Sequence, residues 1–281
     1  MVFSKKEQDL IIEYVKKEPR LIQDIALHIG KSWVTAESYV DKVVKDTGLL
    51  NVKVFRPGTK GAVKVVFWNY SERSQAGDMQ KRLFDKVNLY WNKKDFDPLE
   101  VFQWVDPKKR NSAIEYYDES GFSKESKIGR FLLKANEEVL CFSGNLSFIN
   151  VVEGKSCVLN VLKELLERGV VIKVICRIDL ASMKNINELS KLINKYPKQL
   201  EIRHCRQPVR GFVVDGSIAR LKSELQQEDY RPKELTKNAR AIYEFSDTAW
   251  VDWLKGCFWH LFRNSIGYQE RVEALESALG N

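Results

Sequence analysis

Three short stretches with a helical spacing of hydrophobic residues open the chain. Ser4-Lys5-Lys6-Glu7 has the form of a capping box, and apolar residues then recur every three or four positions up to Pro19. A second helical stripe ends at Gly30, which suits the left-handed turn that closes a helix. Ser32 can cap a third helix, which Gly48 ends. The pattern predicts three helices before residue 50.

The third predicted helix has two chemically different faces. Its apolar positions predict the side that packs on a core: Ala36, Val40, Val43 and Val44. Small polar, aromatic and basic residues occupy the preceding turn and the other side: Lys31, Ser32, Trp33, Thr35, Ser38, Tyr39 and Lys42. A helix that follows a glycine turn and presents such residues is typical of helix-turn-helix proteins, which insert it into the major groove of DNA. These seven residues are therefore candidate DNA contacts.

A β-hairpin is predicted directly after these helices. Residues 51–55 and 62–68 are rich in valine and aromatic residues and read as two strands. The turn between them carries Arg56 and Lys60. A hairpin with a cationic tip after a recognition helix is placed to contact phosphate or the minor groove, so both cations join the candidate DNA contacts.

The order of these elements resembles the winged-helix transcription regulators over residues 4–70. The segment 29–40, followed by Gly48-Leu49-Leu50, is similar to the turn, the recognition helix and the start of the wing in that family. The resemblance implies binding to double-stranded DNA. The alternative is a winged helix that makes protein contacts or dimerises. Trp33 would stack on a sugar or base if exposed, and would fill a domain interface if buried.

Residues 71–122 are expected to connect two domains. Residues 71–77 are small and polar, as in linkers. Apolar residues at 79–91 then fall on one side of a helix, and residues 99–105 add further apolar surface before Asp106-Pro107. This surface must pack on the C-terminal domain or on a second subunit, and we favour a dimer contact. The run Lys108-Lys109-Arg110 fits a phosphate contact or a solvated loop.

From residue 123 onward, predicted strands and helices alternate. This alternation predicts an α/β domain, residues 123–281, with a mostly parallel sheet covered by helices. Asp215-Gly216 is a standard hairpin turn pair between two short strands. Residues 241–245 form the last predicted strand, and a long amphipathic helix rich in tryptophan and phenylalanine follows.

This C-terminal part resembles the phospholipase D-like domain, and the whole chain resembles the archaeal TrmB-type regulators, which join a winged helix to such a domain. The resemblance to the phospholipase D-like domain covers roughly residues 123–265 and includes the stretch 243–251. Active phospholipase D-like enzymes carry H-x-K-x-x-x-x-D, in which the histidine attacks phosphorus. Here Pro208 stands in place of the histidine, Arg210 in place of the lysine, and Asp215 matches. Proline is no nucleophile and His204 lies too early, so we expect no catalysis.

A phospholipase D-like domain without its catalytic histidine can still bind a ligand in the cleft that holds the active site in the enzymes. Six polar residues are expected to lie at strand ends or near the hairpin: Ser143, Asn145, Arg177, Arg203, His204 and Arg210. Because the arginine fork suits phosphate and carboxylate, these residues predict a site for a small anionic or sugar-like effector. The alternative is that they are ordinary surface and salt-bridge residues.

Composition narrows the function classes. The 281 residues include 46 basic and 38 acidic ones, a net charge of +8, which permits nucleic acid as a partner without requiring it. No apolar run is long enough to span a membrane, and no signal segment is evident at the start, so we expect a cytoplasmic, nucleoid-associated protein with no membrane contact. Five cysteines without C-x-x-C spacing, three scattered histidines and the lack of a Walker or H-E-x-x-H motif predict neither a metal site nor a cofactor.

Together these patterns predict an α+β winged helix-turn-helix domain (residues 1–70), a connecting segment (71–122) and an α/β phospholipase D-like domain (123–281). The leading hypothesis is a homodimeric transcription regulator of archaeal type. A sequence-independent architectural DNA-binding protein is the first alternative, and a phosphodiesterase or nuclease is the second.

Overall fold

The computed structural model divides the chain into two compact units, Met1–Gln75 and Ala76–Asn281. It describes residues 3–55, 63–68, 77–117, 126–154, 156–231 and 233–279. Most of the predicted linker, residues 71–76, lies outside these ranges. No helix in the described ranges is long and apolar enough to cross a membrane.

The first unit is a winged helix-turn-helix. Its elements in chain order are α1 (Lys5–Lys17), β1 (Arg20–Leu21), α2 (Ile22–Ile29), α3 (Trp33–Thr47), β2 (Leu50–Phe55) and β3 (Val63–Trp68). The three strands form one antiparallel sheet in the order β1-β3-β2, with Val52 opposite Val66 in the hairpin. The three predicted helices and the hairpin are therefore confirmed, and the structure adds β1.

Local chemistry at the helix ends explains these boundaries. The Glu7 amide donates to the Ser4 hydroxyl at 3.2 Å while the Ser4 amide donates to the Glu7 carboxylate at 2.9 Å, which is the predicted capping box. Gly30 and Gly48 end α2 and α3 with φ values of +64° and +61°. In this left-handed region glycine has no Cβ penalty, so both helices can stop abruptly and the chain can turn.

The second unit is an α/β structure with helices on both faces of one large sheet. Its helices are α4 (Asp78–Leu89), α5 (Leu99–Phe102), α6 (Ile128–Leu132), α7 (Val158–Glu167), α8 (Met183–Lys195), α9 (Thr248–Arg263) and α10 (Tyr268–Leu279). Its strands are β4 (Arg110–Tyr116), β5 (Glu138–Phe142), β6 (Val152–Glu153), β7 (Ser156–Cys157), β8 (Val171–Cys176), β9 (Leu200–His204), β10 (Gly211–Val214), β11 (Ile218–Leu225), β12 (Ala239–Phe245) and β13 (Ile266–Gly267). Strands β6 and β7 pair separately.

The large sheet has the order β13-β9-β8-β5-β10-β11-β12-β4 and is mixed, so the expectation of a mostly parallel sheet is wrong. Only β5, β8 and β9 run parallel, and the other neighbours are antiparallel. One antiparallel pair follows from connection length, because a tight turn between consecutive strands forces them to run antiparallel. Asp215 and Gly216, at φ +50° and +58°, make such a turn between β10 and β11.

Alternate residues of the central strands fill two cores on opposite faces of the sheet. Val139 and Cys141 of β5 join one core with Leu162 and Leu165 of α7. Leu140 and Phe142 of β5 face the other core, which contains the aromatic side chains of α9. Successive strand residues point to opposite faces, so a strand that reads as a continuous apolar run is covered on both sides.

The segment predicted as a connector belongs to the second unit. Leu83 and Val87 of α4 are buried in the α9 core, and the Trp253 indole donates to the Gln80 carbonyl at 2.9 Å. β4 pairs with β12 along the sheet edge, so the cationic run 108–110 leads into a strand. Of the two predicted partners for this segment, the structure shows the C-terminal domain, and the predicted boundary at 122/123 corresponds to no division of the chain.

Candidate nucleic-acid interface and ligand cavity

One face of α3 points to solvent and presents an apolar and a hydroxyl side chain side by side. Ala36, Val40 and Val43 are buried, so the opposite face of the helix is free of the core. Val34 is 69% exposed there, and Ser38 follows it one helical turn later and is also exposed. Asp41 continues the same face. Val34 was placed on neither face from the sequence, because only polar, aromatic and basic residues were considered as DNA contacts.

Two predicted hydroxyl contacts are used inside the protein. The Ser32 hydroxyl accepts from the Thr35 amide at 3.2 Å and lies 2.8 Å from the Thr35 hydroxyl. The Ser32 hydroxyl thus satisfies one of the four amide groups at the start of α3 that have no helical partner. Ser38 is therefore the predicted hydroxyl that stands on the solvent face without a role in capping the helix.

The cationic and aromatic candidates differ in their exposure. Lys31 lies 3.3 Å from Glu7 of the capping box, so it ties the turn to α1. Lys42 is exposed on α3, with its ammonium 6.0 Å from the centre of the Phe3 ring. Trp33 is 39% exposed at the first turn of α3, where its indole is partly open to solvent.

Tyr39 is a core residue, and its prediction as a DNA contact is wrong. Its side chain is only 5% exposed and its ring centre lies 4.6 Å from that of Phe3. Its hydroxyl is buried and has no hydrogen-bond partner among the described atoms. Position 39 falls on the same helical side as Ala36 and Val43, which decides its burial. Arg56 and Lys60, the predicted cations of the wing tip, lie outside the described residues.

The second unit encloses a cavity of about 1000 Å³ at the carboxyl ends of the parallel strands β5 and β8. Four of the six predicted cleft residues line it: Ser143, Asn145, Arg177 and Arg210. The structure adds charged residues from β4, β11, β12 and the segment after α4: Lys93, Lys94, Asp95, Glu115, Arg220, Lys222, Glu224 and Arg240. Aromatic residues also line it: Trp91, Phe142, Phe148 and Phe212.

Arg210 is packed into the cavity wall through backbone contacts. Its Nη1 donates to the carbonyls of Gln207 at 2.9 Å and Val209 at 2.7 Å. A Cβ added to Gly144 would lie 3.0 Å from the Arg210 Nε, so a glycine at 144 leaves room for the guanidinium. Burial lowers the pKa of Arg210, and Arg177 nearby acts in the same direction.

A charged cluster lies beside Arg210 and consists of Lys93, Lys222, Glu224 and Arg240, here called the Glu224 cluster. Lys222 lies 3.3 Å and Arg240 3.9 Å from the Glu224 carboxylate, which also pairs with Lys93. Burial opposes ionisation of Glu224, but Lys222 and Lys93 outweigh it and lower its pKa to about 2. Burial lowers the pKa of Lys222. The Glu224 carboxylate thus forms ion pairs with three cations.

Arg203 and His204 do not line the cavity. Arg203 lies 2.8 Å from Glu201 on its own strand and stacks on Phe262, with its guanidinium carbon 4.6 Å from the ring centre. His204 Nδ1 accepts from the Ile178 amide at 2.9 Å. Burial lowers the pKa of His204 to about 4, with Arg271 and Arg206 adding to the effect. Both residues end β9, which β8 and β5 separate from β10, so their assignment to the cleft is wrong.

The three positions that were compared with the phospholipase D-like motif lie apart. Pro208 is buried before β10, and Arg210 lies at the start of that strand. Asp215 lies at its other end, in the hairpin turn, where its carboxylate accepts from the amides of Asn136, Glu137 and Glu138 at 2.9, 2.8 and 2.9 Å. Burial would raise the pKa of Asp215, but these backbone donors lower it overall. Asp215 therefore anchors the turn to β5.

We expect Asp215→Asn to destabilise the protein by about 1–3 kcal/mol at pH 7, because three amides lose a charged acceptor. Asparagine also tolerates positive φ, so the turn is retained. A carboxyl whose pKa is lowered on folding stabilises above its unfolded pKa, near 3.9, and this contribution disappears as the pH falls through the folded value. Urea unfolding at pH 7 and pH 3 measures the difference. The exposed Asp252→Asn serves as control, and a loss that is equal at both pH values would contradict the role of the charge.

A sequence signal for the added charged residues exists in the strands themselves. In β11, Arg220, Lys222 and Glu224 alternate with other residues, and a period of two places them on one face. In β12, Arg240 lies directly opposite Glu224 and Glu244 opposite Arg220. The three charged residues on one face of β11 were therefore a usable signal for the site. From the sequence, only single residues at strand ends were considered. The contribution of Trp91 and Lys93 depends on a long-range contact and leaves no such pattern.

Comparisons with known proteins match no family model and no curated relative. TrmBL2, an archaeal chromatin protein whose structure shows a novel mode of DNA binding, is 14% identical, with 94% of each chain covered and a TM-score of 0.42. The phospholipase D family member Nuc from Salmonella typhimurium is 12% identical over 57% of this chain and 99% of its own, with a TM-score of 0.40. NucT from Helicobacter pylori is 12% identical over 57% of this chain and 100% of its own, with a TM-score of 0.38.

These structural neighbours belong to the two groups that the sequence resembles. All three TM-scores lie below 0.5, so the assignment of the fold rests on the strand order and registers of this chain.

Proposed function

We propose that this chain is a DNA-binding transcription regulator that reads duplex DNA with the solvent face of α3. The observation that carries the proposal is the exposure of Val34 and Ser38 on a helix that follows a tight glycine turn and precedes a β-hairpin. A helix of this kind fits the major groove, where an apolar side chain can contact the thymine methyl group and a hydroxyl can bond base edges.

The remaining contacts position the protein rather than specify sequence. Lys42 lies beside Ser38 on α3 and can reach phosphate. Arg56 and Lys60 are proposed as further phosphate contacts from the sequence alone. A single winged helix makes few phosphate contacts at physiological salt, so we propose a homodimer that places two such helices on one partly palindromic site. The protein would then be associated with the nucleoid in the cytoplasm.

The second unit is proposed to serve dimerisation or effector sensing rather than catalysis. Proline at 208 cannot attack phosphorus, and Asp215 is engaged by three backbone amides at the far end of β10. His204 offers no substitute, because its Nδ1 accepts a backbone hydrogen bond and its burial keeps the imidazole neutral. The cavity that contains Arg210 is the proposed effector site.

Site selection from a random DNA library, followed by affinity measurements on the selected duplex, tests the proposal. We expect Val34→Ala to weaken binding by about 1 kcal/mol, roughly fivefold, through lost contact with a methyl group. Ser38→Ala is expected to relax the preference at one base pair, and Lys42→Ala to weaken binding to all sequences and reduce the salt dependence. Tyr39→Phe is the matched control on the same helix, because its buried hydroxyl cannot reach DNA.

Thymine-to-uracil replacement in the selected site sharpens the test. Uracil lacks only the methyl group, so it should weaken wild-type binding at one position and leave Val34→Ala unaffected. A uracil effect of equal size in both proteins would show that Val34 does not contact the methyl group.

The selection also decides between the two DNA-binding hypotheses. An architectural protein would show affinity that depends on salt and DNA length but yields no preferred sequence. Binding that is unchanged by all three α3 substitutions would remove α3 from the interface altogether. Turnover of a chromogenic phosphodiester by wild type but not by His204→Ala would support the hydrolase alternative.

A further inference from the structure

The large sheet ends on one side in β4, whose outer edge pairs with no other strand in the described ranges. The Tyr117 amide donates to the Asn238 carbonyl at 3.0 Å, and the Ser246 amide donates to the Lys109 carbonyl at 2.9 Å. Odd-numbered residues of this segment therefore bond to β12. Because bonding alternates along an antiparallel strand, four residues direct their amides and carbonyls away from the sheet: Arg110, Ser112, Ile114 and Tyr116.

The two edges of this sheet differ in how much they offer to another strand. β13, at the opposite edge, has only two residues, and short edge strands protect a sheet from pairing with other chains. β4 has seven residues and contains neither proline nor lysine. Ile114 and Tyr116 lie on it with 48% and 50% exposure. A long edge strand with exposed apolar side chains is the kind that pairs with a second chain.

A groove runs beside this open edge on the other face of the sheet. Its volume is about 290 Å³, and its lining includes Ala113 of β4, Ile242 of β12 and Lys127. A strand added to β4 would direct alternate side chains to the two faces. One set would meet the groove, and the other would meet Ile114 and Tyr116. Main-chain bonding and side-chain contacts are thus both available at this edge.

We propose that β4 pairs with β4 of a second copy of this chain, antiparallel and with Ala113 on the two-fold axis. The two large sheets would join into one continuous sheet across the dimer. A two-fold interface uses the same patch of both subunits, so a single open edge is sufficient. The inference deepens the proposed homodimer and rests on it for the need to bring two winged helices together.

The sequence of β4 is complementary to itself in this register. With Ala113 on the axis, three kinds of pair form, each of them twice: Arg110 with Tyr116, Asn111 with Glu115, and Ser112 with Ile114. A cation then lies beside an aromatic ring and an amide beside a carboxylate, and no like charges are opposite each other.

The backbone selects the same register. Residues 110, 112, 114 and 116 all fall in hydrogen-bonded pairs, so every outward amide and carbonyl of β4 finds a partner. A shift by one residue would place outward groups opposite inward ones. A shift by two residues would leave two residues of the strand unpaired. Only this register pairs all seven residues.

Light scattering of the full chain without DNA tests the interface, and we expect twice the chain mass of 32.6 kDa. Ile114→Lys should weaken the dimer at least about tenfold, because both copies gain a lysine, the residue that commonly blocks pairing at sheet edges. Ile266→Lys is the matched control. Ile266 is 39% exposed in the edge strand β13, and its replacement should leave the dimer unchanged.

Ser112→Pro tests the backbone contribution. The Ser112 amide points away from β12, so proline removes a donor to the second copy without removing a bond of the sheet. We expect at least about tenfold weaker dimerisation with an unchanged circular dichroism spectrum. Ala113→Pro removes a bond to β12 instead and should lower the unfolding temperature.

Cysteine cross-linking tests the register. Two copies of residue 113 would face each other in a non-hydrogen-bonded pair with Cα atoms about 4.5 Å apart, which suits a disulfide. Ala113→Cys should therefore form a covalent dimer on oxidation. Ser112→Cys should not, because its two copies would lie more than about 7 Å apart. The wild type, oxidised in parallel, measures any cross-linking through its own five cysteines.

Three outcomes would overturn the proposal: a monomeric wild type, a dimer that Ile114→Lys and Ser112→Pro both leave unchanged, and no cross-link through Ala113→Cys. None of these measurements involves DNA, so their failure leaves the reading of DNA by α3 intact. A dimer with this register that binds no DNA would refute only the DNA-binding proposal.

Discussion

Replacing Gly211 by alanine is expected to destabilise the protein by at least about 3 kcal/mol or to prevent folding of the second unit. A Cβ at this position would lie well inside van der Waals contact with the Arg220 carbonyl oxygen and 2.7 Å from the Leu221 side chain. The carbonyl belongs to β11, which is paired on both sides, so the backbone cannot move away without breaking the pairing with β10 or β12. The expected destabilisation therefore results from the close approach of the two strand backbones at Gly211 and not from a change in chain flexibility.

Gly267→Ala is the matched control, because a Cβ at 267 meets no atom within 4 Å. Both glycines lie in strands of the same sheet, so general effects of strand glycine removal are shared by the two variants. Urea unfolding followed by circular dichroism measures both. Similar stability of the two variants would show that β10 and β11 can separate at this point.

Arg220→Met is expected to cost about 3–5 kcal/mol, because it leaves two carboxylates without their cation inside the sheet. Arg220 is 6% exposed and holds Glu115 of β4 and Glu244 of β12 at 2.9 and 3.0 Å. It also donates to the Lys127 carbonyl at 3.3 Å. The guanidinium therefore links three strands and the segment before α6.

A triple variant distinguishes the net contribution of the ion cluster to the free energy of unfolding from the cost of removing one of its members. Glu115→Gln, Arg220→Met and Glu244→Gln together remove every charge of the cluster and should recover most of the lost stability, since buried ion pairs contribute little beyond mutual compensation. Thermal and urea unfolding of the single and triple variants provide the comparison. A triple variant as unstable as Arg220→Met would mean that the methionine side chain fits this site poorly.

Local patterns in the sequence predicted the first unit well. The capping box at Ser4, the glycine turn at 30 and the cap at Ser32 each require only neighbouring residues, and each is present. The hairpin turn at Asp215 is of the same kind. Tyr39 marks where this reasoning failed, because helical position placed it among buried residues while its residue type suggested a polar face.

The sequence by itself determined most of the helices and strands, since spacing, caps, turns and residue identity are local properties of the chain. The order of the strands in the large sheet was decided only in three dimensions, where β4 from the supposed connector became its edge. The cavity likewise joins Lys93, Arg177, Arg210 and Glu224 from distant parts of the chain. Charge balance among such groups is a property of their packing, because only proximity decides which cation a carboxylate compensates.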